Sequence, residues 1–376
     1  MSRVNISKLW RCGNLNKPQD SIKPQQRQRD YSLDCLRIFA CFLVIIIHVC
    51  AAYEFFDLNP SSTRWLVLNA YDSFSHTAVP LFLMISGSLF LSREKLDLKR
   101  FLRKNLATII IVYFVWAFIY AVADNTENFT DFTAVLSIDW LRDFAHSFAN
   151  GKFHLWYLRA LVLAYLLIPI LHAAIHKTGI SVKYCTCAIF FMFVPFFLLK
   201  TIPSMPSSIE ELLTVFRPTY IMYAFYCILG YALTKSIRLK NAPCWLLLVI
   251  LIAVAAASIC ANADISISDG EAHSYFYDNF SINIILESAI IFLLFKKLEP
   301  RLYNWRFGGA CKYVSGLTLG IYLVHIFIIR VFADAGFINL GINAAIYVPI
   351  AALVVFIIAG CFTAIVQKIP LLRKIV

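Results

Sequence analysis

The feature that most constrains this chain is a succession of apolar runs, each near the length of a membrane-crossing helix and separated by short polar loops. A helix needs about 20 apolar residues to cross the hydrocarbon core, fewer where its flanks snorkel. Ten runs meet that need: about 34–53, 74–91, 106–123, 155–174, 185–202, 218–233, 243–261, 280–295, 313–333 and 342–366, the second, sixth and eighth being short. Composition agrees. The 376 residues are 60% hydrophobic and 15% charged, where soluble domains average about 45–50% and about 25%. The expected fold class is an all-α polytopic membrane protein with about ten transmembrane helices.

Charge sets the orientation. An even number of spans puts both termini on one side, and the segments on that side hold 26 Lys and Arg. The opposite segments hold 5: Arg64, Arg142, Lys152, Lys200 and Arg217. The positive-inside rule then places both termini in the cytoplasm. The far side carries its acids in two long loops, among them Asp124, Asp131, Asp139, Asp143, Asp264 and Asp269. A net charge of +12 on a soluble chain would suggest nucleic acid. Here it serves topology, and no nucleic-acid partner is expected.

The organisation reads as a polar, basic cytoplasmic tail over residues 1–32 and one transmembrane domain over 33–376. The tail is unlike the short basic start of a cleaved signal peptide. Most of the 11 cysteines fall in or at the ends of apolar spans, so no disulfide framework is expected. Nor has any His, Asp or Glu cluster the spacing of a metal site. No internal repeat suggests the paired halves of many transporters.

The first span carries chemistry. Asp34, Arg37 and His48 interrupt LDCLRIFACFLVIIIHVC. Eleven residues at 3.6 per turn bring Arg37 and His48 to one helix face, about 16 Å apart along the axis. Asp34, three residues before Arg37, is placed to pair with it. Arg37 reads either as a functional cation or as a snorkelling anchor, and His48 as a general base or a packing polar group. Ionisable groups inside membranes favour function.

Arg37, ten residues, then His48 resembles the signature of the acyltransferase-3 family of integral membrane acyltransferases. Further stretches carry the likeness in order: VPLFLMISGSLFLSR (79–93), KRFLRKN (99–105), HLWYLRALVLAYLLIPIL (154–171) and SGLTLGIYLVHIFIIR (315–330). It runs from about residue 30 to the C-terminus. The resemblance implies a ten-helix enzyme of the bacterial inner membrane, with no bound cofactor. Such enzymes take an acyl group, usually acetyl from acetyl-CoA, and deliver it to a hydroxyl of a cell-envelope glycan or lipid-linked saccharide. The family's essential histidine and arginine map onto His48 and Arg37. Arg100 and Arg103 match a basic motif of the family and suit the phosphates of the donor, although plain topology explains the loop equally.

Other candidates carry two readings each. His154, Trp156 and Tyr157 open the fourth span, where aromatics suit either an interfacial belt or an acceptor sugar. Tyr322 and His325 share a face of the ninth span and suit substrate contact or polar packing. Glu287 is the carboxylate well inside a later run; Arg159, Arg330 or a histidine are its expected partners. Ser86 and Gly87 read as close helix packing. A secondary transporter or lipid-linked glycan exporter is the competing function, separated from a transferase by the absence of thioester cleavage.

Overall fold

In the computed structural model the described residues are 29–52, 55–126, 137–177, 183–184, 187, 220–236, 241–302, 305–337, 342–370 and 372–376. They are helical, with no strand among them. Eleven longer helices follow in order: α1 (Tyr31–Ala52), α2 (Thr63–Ser75), α3 (Ala78–Phe90), α4 (Ala107–Thr126), α5 (Ile138–Asn150), α6 (Trp156–Lys177), α7 (Ala224–Lys235), α8 (Cys244–Asp269), α9 (Ile282–Leu302), α10 (Gly308–Asp334) and α11 (Ala344–Val366). A single helical turn, Leu98–Phe101, and a π-helical segment, Leu102–Leu106, lead into α4.

Seven helical runs among the described residues are long and apolar enough to cross a membrane: Tyr31–Ala52, Thr63–Phe90, Leu98–Thr126, Ile138–Lys177, Cys244–Asp269, Gly308–Asp334 and Ala344–Val366. The chain is therefore a multi-pass, all-helical membrane protein. The expected fifth span, 185–202, lies almost entirely outside the described residues, as do the tail to residue 28 and the start of the sixth span. The eighth is α9, a helix that carries Glu287 and a charged end.

α1 is the central helix and packs against α2, α3, α9, α10 and α11. Its own stretch is almost wholly apolar, so it buries residues on every side, from Leu36 and Ala40 to Ile45 and Cys50. α3 and α7 cross at backbone contact: a Cβ built on Gly87 would stand 1.8 Å from the Cys227 carbonyl oxygen, and one on Gly230 2.1 Å from that of Met84. Only glycine permits such an approach, which is how membrane helices gain dispersion contact without a hydrophobic drive. The packing reading of Gly87 holds.

Two helices lie where no span was expected. α2 is N-capped by Ser62, whose hydroxyl accepts from Trp65 N–H at 3.2 Å, and it buries Asn69, Asp72, Ser73 and Ser75. Asn69 among them meets α8, whose few buried residues include Ser258, Asn262 and Ser266, one turn apart. Asn262 donates to Asn69 Oδ1 at 2.8 Å, and Asn69 donates to the Ile259 carbonyl at 3.0 Å. α5 is amphipathic. Trp140, Phe144 and Phe148 stack along one face at ring distances of 5.2 and 6.1 Å and lie against Phe118 and Phe114 of α4.

Candidate active site

Contacts between α1 and α10 form a ladder in constant register. Cys35 Sγ lies 3.3 Å from Cys311 Sγ, Arg37 Nη1 donates to Ser315 Oγ at 3.3 Å, and Cys41 Sγ donates to the Thr318 carbonyl at 3.6 Å. At the far end the His48 and His325 rings are 5.0 Å apart. Numbers rise together on both helices, so they run parallel. Arg37 and His48 thus share the α10-facing side of α1, as their spacing requires.

Three histidines converge at the far end. The His154 ring is 5.5 Å from His325 and 6.3 Å from His48. His154 sits in the 3-10 turn Phe153–Leu155 that opens α6, so a chain bend delivers it. His325 Nδ1 is 2.6 Å from the Tyr322 carbonyl oxygen. A carbonyl only accepts, so Nδ1 carries the proton and Nε2 holds the lone pair. That Nε2 is buried with no partner among the described residues, as are both ring nitrogens of His154. Buried polar atoms of this kind are ordinarily satisfied, yet three lie unpartnered, among the described residues, on two rings of this cluster. Exposed Phe153 borders it, 5.4 Å from the His48 ring.

At the other end the expected Asp34–Arg37 pair is loose. Arg37 Nη1 stands 4.0 Å from Asp34 Oδ1, whereas Arg29 reaches both Asp34 oxygens at 2.7 and 2.9 Å. Ser315 Oγ donates to Asp34 at 2.8 Å. Arg29 therefore takes the carboxylate, and Arg37 keeps most of its guanidinium for other company. Buried Lys296 ties the start of α1 to the end of α9 through Asp30 and, at 2.6 Å, Glu299.

Tyrosines join the two ends. Tyr157 and Tyr165 are buried residues of α6. The Tyr165 hydroxyl is 3.4 Å from Ser86 Oγ. The Tyr157 ring lies 5.5 Å from Tyr322, whose hydroxyl donates to the His154 carbonyl. Ser86 thus faces a phenol, with no base beside it among its described contacts. Arg100 and Arg103 are exposed, yet Phe101 between them is buried, its ring 5.6 Å from Tyr165. The basic segment is held against Tyr165.

The structure separates other candidates from this line. Glu287 meets neither Arg159 nor Arg330 nor a histidine: it accepts from Ser258 Oγ of α8 at 3.3 Å, and its Oε2 has no partner among the described residues. Arg330 donates to Asp124 at 3.4 Å, beside Lys152 at 2.7 Å. Arg159 donates to the Asn150 carbonyl at 3.3 Å. Tyr157 turns inward, while Trp156 lies apart from it against Tyr220 and Tyr223. His172 and His176 meet the Arg93 and Leu91 carbonyls at 2.8 and 2.9 Å, so they close the end of α3. Sequence reading missed the Tyr165–Ser86 contact. Its signal was the spacing of Tyr157 and Tyr165, eight residues apart on one face of α6.

Comparison with known proteins adds one match. No curated protein and no solved structure matches the chain at a significant level. A family model described as an acyltransferase domain, that of acyltransferase-3, matches residues 30–366. The match covers nearly all of the helical domain and includes both ends of the α1–α10 ladder: the chain belongs to the acyltransferase-3 family and is a membrane acyltransferase.

Proposed function

We propose that the chain is an acetyl-CoA-dependent O-acyltransferase of the bacterial inner membrane, with ten spans and both termini cytoplasmic. In order and spacing its family stretches resemble those of the O-acetyltransferase of enterobacterial common antigen. The proposed acceptor is accordingly a hydroxyl of a cell-envelope saccharide, lipid-linked or polymeric. One observation carries the reading. A cation at one end of α1 and an imidazole at the other share a face, with tyrosine hydroxyls between them and orphan histidine nitrogens around the imidazole.

In this mechanism the donor's phosphates rest at the cytoplasmic mouth on Arg100 and Arg103, with Arg37 above them. The thioester reaches inward past Tyr165 and Tyr157. His48 takes the proton of the acceptor hydroxyl as its oxygen attacks the thioester carbon. The C–O bond forms, the C–S bond breaks, and the thiolate leaves with the proton from His48. His154 and His325 hold the acceptor or the His48 ring.

The test uses purified protein in lipid vesicles with radiolabelled acetyl-CoA and an envelope-glycan extract. Label passing to glycan, with release of free CoA, is the expected outcome. Movement of a saccharide across the bilayer with no thioester cleaved would replace the transferase reading by transport. Within the same assay, Arg100→Ala and Arg103→Ala each raise KM for acetyl-CoA about 10- to 100-fold, the range of a charge-assisted hydrogen bond, while kcat changes little. An unchanged KM in both would leave that loop to topology alone.

A further inference from the structure

Beside the histidine cluster lies a group of side chains that acyl transfer itself does not use. Trp156 begins α6, two residues after His154. Its ring stacks on Tyr220 at 6.5 Å and meets Tyr223 at 5.5 Å, and Tyr220 stacks on Tyr223 at 6.5 Å. Trp156 and Tyr220 are only half-buried, so part of each side chain stays accessible. Arg159 lies one turn along, its Cζ 5.6 Å over the Tyr220 ring. Asn279 donates from Nδ2 to the Tyr223 hydroxyl at 3.2 Å.

The polar groups here are incomplete in a complementary way. Arg159 Nε is buried with no acceptor, and Asn279 Oδ1 is buried with no donor, among the described residues. Because the Tyr223 hydroxyl accepts from Asn279, its own proton is free to be given. Among the described residues Arg159 has no carboxylate: it donates to one carbonyl and rests on one ring. A guanidinium inside a span with neither a counter-ion nor a full set of acceptors among the described residues is costly, and the native chain keeps it. A plain interfacial belt would explain rings turned to lipid headgroups. It would not explain rings stacked on one another under an arginine that has no carboxylate among the described residues.

We propose that Trp156, Tyr220, Tyr223, Arg159 and Asn279 form the acceptor subsite and that it takes a saccharide bearing an anionic oxygen group. A sugar presents a flat face of C–H bonds that packs on an aromatic ring, and its hydroxyls seek a few placed donors and acceptors. Asn279 Oδ1 and the Tyr223 proton supply those. Arg159 Nε, with its charge, calls for a carboxylate or phosphate oxygen. Trp156 follows His154 by two residues, at the point where the 3-10 turn passes into α6. A sugar seated on the rings therefore lies next to the turn that carries His154. This inference rests on the transferase reading for the sugar's fate, but not for its binding.

The test is saturation-transfer NMR on the protein in lipid nanodiscs with three probes. They are a neutral glucose trisaccharide, the same trisaccharide with one glucuronate, and the same with one phosphate ester. At least one acidic probe binds about tenfold or more tightly than the neutral one, the effect of a single charge-assisted hydrogen bond. The probe that does so identifies the anion. Arg159→Gln brings that preference down to about one, and Arg159→Lys, which keeps the charge but loses the fork, retains part of it. Trp156→Ala weakens all three probes and reduces saturation transfer to the sugar C–H protons, leaving the preference intact. Equal binding of acidic and neutral probes by the wild type, or a preference unchanged in Arg159→Gln, overturns the proposal. Thioester cleavage is read in parallel on the same preparations. Cleavage without any acidic preference leaves the transferase standing and removes this subsite; preference without cleavage keeps the subsite and removes the transferase.

Discussion

His48→Ala lowers kcat for acetyl transfer about 10²- to 10⁴-fold, the contribution of one positioned general base, and leaves KM for acetyl-CoA close to the wild-type value. The split follows from the layout. His48 stands at the far end of the α1–α10 ladder, among His154 and His325, whereas the basic segment of Arg100 and Arg103 is anchored elsewhere, through Phe101 on Tyr165. The companion variants are chosen from the fixed proton on His325 Nδ1. His325→Asn keeps an N–H for the Tyr322 carbonyl but loses the acceptor at Nε2. His325→Gln carries an amide oxygen out to the Nε2 position. If Nε2 orients the His48 ring, Gln retains more activity than Asn and shifts the pH profile less. Should His48→Ala keep more than about a tenth of wild-type kcat in protein that melts normally, the base is another group, and the orphan nitrogens of His154 and His325 are the places to look.

Much of this arrangement was legible because it is periodic. Arg37 and His48 declare a shared face through the helical repeat alone, and Tyr322 with His325 do the same on α10. What periodicity cannot give is register between helices far apart in the chain. Nothing in the sequence says that Ser315 stands opposite Arg37 and His325 opposite His48, since that depends on packing. Glu287 shows the same limit. A buried carboxylate seeks a donor, but the one it meets, Ser258, follows from how α8 leans on α9. α2 escaped detection for a physical reason: Asn69 and Asp72 lower its hydropathy, and the partner of Asn69 lies on a helix nearly 200 residues later. α5 was readable after all, since Trp140, Phe144 and Phe148 recur every fourth residue through a loop otherwise marked by its acids. The tyrosine line from Arg37 to the histidines needed three helices at once, and only the fold brings them together.

The largest effect on stability is expected at the crossing of α3 and α7. Gly87→Ala and Gly230→Ala each place a methyl group within 1.8 and 2.1 Å of a main-chain carbonyl oxygen on the facing helix. Side-chain overpacking ordinarily costs about 1–3 kcal/mol because a rotamer can give way. Here the obstacle is backbone, so the two helices must part, and each variant loses more than about 3 kcal/mol. The internal control has the opposite sign. Gly309 and Gly316 of α10 have nothing within 4 Å of a built Cβ, and alanine there gains up to about 1 kcal/mol of helix propensity. Thermal unfolding in one detergent compares all four. The Gly87→Ala, Gly230→Ala double variant loses less than the sum of the singles, because the first methyl already forces the separation that admits the second. Additive losses would mean that the two contacts yield independently and that the crossing is not one rigid seam. Parting the helices also moves Ser86 away from Tyr165, 3.4 Å away in the native packing. A partly folded variant should therefore lose donor turnover before it loses its helices, with far-ultraviolet circular dichroism intact while thioester cleavage falls. That order of loss ties the glycine seam to the tyrosine line and hence to the path between Arg37 and His48.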